Sequence, residues 1–104
     1  MIEVKDPGFM EELSDKKYIV KWEATWCSPC KAIAPLLLDL EKETGFFVYR
    51  LDVDDFDLLA SKYAIRSLPT TFFMAGEKVV ETVVGAVSRA KFAEAAEKLL
   101  RAVV

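Results

Sequence analysis

The stretch KWEATWCSPCK, Lys21–Lys31, decides how the chain is read. The segment leading into it, YIVKWEA (Tyr18–Ala24), alternates as a β-strand does. Tyr18, Val20, Trp22 and Ala24 fall on one face, and Ile19, Lys21 and Glu23 on the other. Beyond it, a helix is predicted to start at the cysteines and run to about Thr44, with Gly45 as its stop. Pro35 lies inside that helix and should kink it, because it removes one backbone hydrogen bond.

Cys27 then sits where a strand hands over to a helix. Exposed backbone N–H groups and the positive end of the helix dipole meet there, and both stabilise a thiolate. A free cysteine has a pKa of about 8.5, and this setting lowers it. Cys30 is one helical turn further on the same face, within reach of Cys27 for a compact disulfide. Pro29 stiffens the ring between them without costing a hydrogen bond. The chemistry this allows is two-step exchange, with attack by Cys27 and resolution by Cys30.

Two other readings of the pair are weaker. A structural zinc site needs about four ligands, and the chain offers two thiols and no histidine. An inert disulfide across so short a loop gains little chain entropy. The absence of histidine also removes the Ser-His-Asp and Cys-His schemes, so protons must move through carboxylates, lysines, cysteines or water.

Outward from this core, Ile2–Val4 is a short strand candidate, and Asp6 with Pro7 signals a helix start whose buried stripe is Phe9, Met10 and Leu13. Phe46–Val53 reads as a buried strand. Phe56, Leu59, Ala60 and Tyr63 have helical spacing. TTFFMA and VVETVVG, joined through AGEK (Ala75–Lys78), form a hairpin with Gly76 in the turn. Ser88 caps a last helix with Phe92, Ala95, Ala96, Leu99, Leu100 and Val103 inward. The order is β-α-β-α-β-α-β-β-α. It predicts an α/β domain over residues 1–104, with about four helices flanking a mixed, mostly parallel sheet of about five strands.

The 104 residues are 53% apolar, which argues against disorder, and carry a net charge of −3, with lysine and arginine scattered. No footprint for nucleic acid or an acidic membrane follows. No apolar run approaches the roughly 20 residues a membrane span needs. The acidic opening MIEVKDPGFMEEL has no signal-peptide stretch, so the expected compartment is the cytoplasm. DVDDFD (Asp52–Asp57) lacks the glycine and glutamate of a calcium loop and reads as a strand end and a helix start.

WCSPCKAIAP resembles the active-site block of the thioredoxin family, usually Trp-Cys-Gly-Pro-Cys-Lys followed by a helix proline. YAIRSLPTTFFMAGE resembles the family's cis-proline segment, and VVGAVSRAKFAEAAEKL its last strand and helix. The resemblance implies a general protein-disulfide reductase, recharged by thioredoxin reductase, a flavoprotein using NADPH. It implies a monomer whose redox-active disulfide, Cys27–Cys30, is its only redox group, with no bound cofactor or metal. Carried over, Cys27 is the nucleophile and Cys30 the resolving thiol. Trp26 and Pro29 shape the site, Leu68–Pro69 is the cis peptide, and Val53, Val84, Gly85 and Ala86 line the substrate groove.

The chain also departs from the family pattern. Ser28 replaces the usual glycine. Lys21 stands where the family has a buried acidic residue, and Glu23 where it has an aromatic. Arg50 falls where a lysine often lies. Two readings follow. Glu23 either pairs with Lys21 or Arg50 only to satisfy charges buried together, or it accepts the Cys30 proton while Lys21 tunes its acidity. The departures also leave open an oxidase- or isomerase-like poise, or a redox-silent binding adaptor.

Overall fold

The structure is a computed structural model describing all residues, Met1–Val104. Five strands, β1 (Ile2–Glu3), β2 (Lys17–Glu23), β3 (Val48–Asp52), β4 (Thr70–Ala75) and β5 (Lys78–Val84), make one sheet. Four helices connect or cover them: α1 (Phe9–Glu12), α2 (Ser28–Thr44), α3 (Asp57–Lys62) and α4 (Arg89–Arg101). The spatial order is β1-β3-β2-β4-β5. β1 and β2 run parallel to β3, while β4 is antiparallel to both β2 and β5. The element order and the mixed sheet are those read from the sequence.

β2 lies at the centre of the sheet, and both of its faces are covered. Ile19 joins one core layer with Ile33, Leu37 and Leu40 of α2 and Phe92, Ala95, Ala96 and Leu99 of α4. Tyr18, Val20 and Trp22 join the opposite layer with Phe9, Met10, Leu51, Ala60 and Phe72. A strand buried on both faces gives every side chain a dry environment. Lys21, on the face of Ile19, is therefore 2% exposed as a residue despite its charge.

Several local readings need correction. Helix α1 starts at Phe9 rather than at Pro7, because the Asp6 carboxylate accepts the Gly8 N–H at 2.9 Å and holds a turn there. β3 starts at Val48; Phe46 and Phe47 lie before it, and Phe47 is 59% exposed rather than core. Leu100 and Val103 are also exposed, since α4 ends at Arg101 and its buried stripe is narrower than predicted. α2 keeps its predicted limits. It runs continuously through Pro35 and stops at Gly45 in the left-handed conformation (φ 78°).

The β4–β5 turn is tied to the rest of the fold through Gly76. Its N–H donates to the Lys16 carbonyl at 2.8 Å, and its own carbonyl accepts the Tyr18 hydroxyl at 2.7 Å. Gly76 has φ +64°, and a Cβ there would stand 2.5 Å from the Ser14 carbonyl oxygen. Gly76→Ala meets both the left-handed strain and this clash, and is expected to destabilise the fold by about 2–3 kcal/mol. Urea unfolding followed by circular dichroism checks this; an unchanged midpoint would contradict it.

Candidate active site

Cys27 is the N-cap of α2, and its sulfur accepts the backbone N–H of Cys30 at 3.2 Å. No acidic side chain lies in the first turn of α2 to offset the positive end of the helix. Pro29, at the start of the helix, gives up an N–H that has no intrahelical partner there. Cys27 and Cys30 form a disulfide with Cα atoms 5.3 Å apart. Both sulfur-bearing residues are buried, while Trp26, Ser28 and Pro29 around them are exposed.

A small apolar cluster, Ala24, Cys27 and Cys30, is packed by Val53 and Leu68. The Leu68–Pro69 peptide is cis. Pro69 is buried, and its carbonyl accepts the Gly85 N–H at 2.8 Å. Thr70 pairs with Val84 in the sheet, so the end of β5 is held against the proline loop. Val84 is 55% exposed, Gly85 has φ +94°, and Ala86 faces solvent just beyond. The three chain segments that bear Cys27, Pro69 and Gly85, far apart in sequence, thus meet at one end of the sheet.

Two features were not visible in the sequence. The indole Nε1 of Trp26 donates to Asp54 Oδ2 at 3.0 Å, which fixes an otherwise exposed ring beside the cysteines. Asp54 also donates its N–H to Asp52 Oδ1, so the acidic stretch after β3 is occupied in shaping a turn. No cluster of His, Cys, Asp or Glu suited to a metal ion is gathered anywhere in the chain. Only the spatial return of β3 to the head of α2 pairs Trp26 with Asp54, and no spacing signals it.

The charges that depart from the family pattern lie on β2 and β3. Lys21 Nζ is 2.8 Å from Glu23 Oε1, with side chains 3% and 20% exposed. Arg50, 40% exposed, holds the other carboxylate oxygen of Glu23 at 3.6 Å. Neither Lys21 nor Glu23 hydrogen-bonds to a cysteine. Glu23 directly precedes Ala24, which packs with Cys27 and Cys30.

A dithiol at the head of a helix, able to close on itself, exchanges two electrons with another disulfide. The chain is thus a dithiol–disulfide oxidoreductase, and its redox-active group is its own Cys27–Cys30 disulfide. Residues 1–98 match the family model described as Thioredoxin, and the chain belongs to the thioredoxin family. It is 37% identical over 87 residues to the thioredoxin of Bacillus subtilis (strain 168), covering 82% of this chain and 84% of that one. It is 35% identical over 104 residues to the chloroplastic M-type thioredoxin of Pisum sativum, covering 95% of this chain and 60% of that one. The crystal structure of reduced Schistosoma mansoni thioredoxin pre-protein superposes with a TM-score of 0.84 at 37% identity, covering 94% of this chain and 96% of that one. The fold is the thioredoxin fold, and the family's substrates are protein disulfides.

Proposed function

We propose that this chain, as one thioredoxin domain over residues 1–104, is a general protein-disulfide reductase in which Cys27 attacks and Cys30 resolves. The observation that carries the assignment of roles is the Cys30 N–H donating to the Cys27 sulfur at the helix cap. A hydrogen bond and a helix dipole on one sulfur favour its ionised form, and the thiolate is the attacking species. In the reaction the Cys27 thiolate forms a mixed disulfide with one substrate sulfur, and the other leaves and takes up a proton. Cys30 then gives up its proton and attacks Cys27 Sγ. The ring disulfide forms, the second substrate thiol is released, and two electrons have passed to the substrate.

Trp26, Pro29, Val53, Leu68, cis-Pro69, Val84, Gly85 and Ala86 would form the groove that holds the substrate by strand addition against the proline loop. The few side-chain functional groups there suit a reductase of many partners. Glu23 is proposed as the acceptor of the Cys30 proton, with Lys21 tuning it. Its place next to Ala24, which packs with both cysteines, supports this, and its partial exposure gives the proton a way out. Recharging by a flavoprotein thioredoxin reductase, a monomeric state and a cytoplasmic location complete the reading. No helix is long and apolar enough to cross a membrane, and large exposed apolar side chains such as Phe47, Leu58 and Val103 are dispersed along the chain.

Equilibration with glutathione buffers tests the direction of transfer. A reductase is expected near the family's usual potential of about −270 mV, whereas dithiol oxidants of related chemistry lie near −120 mV. A value at the oxidising end would replace the reductase with an oxidase or isomerase, a poise that a buried cation under the thiolate would favour.

A further inference from the structure

Lys21 and Thr71 are direct cross-strand partners in the β2–β4 ladder, and Lys21 and Arg50 are partners in the β2–β3 ladder. Partners in a ladder put their side chains on the same face. Arg50, Lys21 and Thr71 therefore form a polar row across three strands, on the face covered by α2. Glu3 extends that row beyond Arg50 at one end, and Val83 closes it at the other. Glu23 and its ladder partner Asp52 lie in the next row, toward the cysteines. From α2, the buried residues packed on this side are Cys30, Ile33, Leu37 and Leu40, of which only Cys30 titrates.

Two polar groups in this row have capacity left over. Thr71 is 0% exposed, and its Oγ1 has no hydrogen-bond partner in the protein. Lys21 Nζ carries three N–H donors, and its one ion-pair partner is Glu23. A buried hydroxyl left without a partner costs stability on the order of 1–3 kcal/mol, and the ammonium beside it has donors to spare. As ladder partners on one buried face, they offer an internal water the two polar partners it needs.

We propose that Thr71 is a positioning residue for the resolving step: its hydroxyl and the Lys21 ammonium share one buried water, and this bridge holds Lys21 against Glu23. Lys21 donates to the water oxygen, and the water donates to Thr71 Oγ1. The bridge limits the ammonium to one placement, so the carboxylate that receives the Cys30 proton meets a fixed positive charge. This role rests on the reading of Glu23 as proton acceptor; the bridge itself does not.

Thr71→Val keeps the side-chain shape and removes the hydroxyl, and Thr71→Ser restores it. The readout is the pH profile of the resolving step, in single turnovers of the reduced protein with a disulfide substrate. With Lys21 less firmly held, the midpoint of that profile in Thr71→Val is expected to move by about half a unit or more. Thr71→Ser is expected to return it to the wild-type position. Magnetisation transfer from water should detect a long-lived water beside Thr71 in the wild type and lose it in Thr71→Val. Coincident wild-type and Thr71→Val profiles, failure of Thr71→Ser to restore, or no slow water in the wild type would each overturn the proposal. The water measurement on the wild type decides the matter even if Thr71→Val does not fold. Glu23→Gln separates the two readings. An unmoved Glu23→Gln profile removes the Glu23 relay and with it the kinetic role of Thr71, whereas a moved Glu23→Gln profile beside an unmoved Thr71→Val profile removes the Thr71 role alone.

Discussion

Cys27→Ser is expected to lower insulin reduction, with dithiothreitol as donor, to the rate of dithiothreitol alone. The serine hydroxyl stays protonated at neutral pH even at a helix cap, so no anion is available to attack a disulfide. The fold should be retained, since the hydroxyl is smaller than the thiol and can still accept the Cys30 N–H as an ordinary helix cap. Cys30→Ser behaves differently. Attack by Cys27 proceeds, but nothing resolves the product, so a stable mixed disulfide with the substrate should accumulate and be visible by mass spectrometry. Reversal of this pattern, with adducts trapped in Cys27→Ser instead, would exchange the two roles. Wild-type activity no better than dithiothreitol alone would favour a redox-silent adaptor built on the same groove.

The contrast between these variants depends on geometry that is largely legible in the order of the residues. Cys27 ends one element and begins another, and Pro29, Cys30 and the Gly45 stop fix where α2 lies. Caps and prolines act within a few residues, so their effect can be read from adjacent letters. Positions decided by distant chain are less legible. Phe47, Leu100 and Val103 are apolar, and their letters alone suggest core, yet all three are exposed because β3 starts late and α4 stops early. The Trp26–Asp54 hydrogen bond joins residues 28 apart and follows from the β3–β2 pairing. The face shared by Lys21 and Glu23 can be read from alternation, but the dry environment of Lys21 depends on α2 covering β2. The unpartnered hydroxyl of Thr71 becomes visible only once β4 is paired with β2.

Glu23→Ala is expected to be the most destabilising of the charge substitutions, at about 3–5 kcal/mol, because it leaves the Lys21 ammonium buried without a carboxylate. Lys21→Met should cost much less. It replaces the stem of the lysine with an apolar chain of similar length in an apolar layer, and Glu23 keeps Arg50 and some solvent. The Lys21→Met/Glu23→Ala double variant should recover most of the stability lost in Glu23→Ala, since no charge is left stranded. Urea unfolding of the set checks this, and a Glu23→Ala loss no larger than that of Lys21→Met would mean that the ammonium finds other solvation. The same carboxylate has a kinetic signature that a purely structural ion pair lacks. Glu23→Gln keeps a hydrogen-bonding side chain of the same shape but cannot take a proton. If Glu23 receives the Cys30 proton, this change slows resolution of the mixed disulfide more than the initial attack by Cys27. If both steps slow equally, or neither does, the pair serves only to neutralise charges buried together. The stability set and the kinetic split thus answer different questions about one residue: whether Lys21 needs Glu23 to remain charged in the core, and whether Cys30 needs it to react.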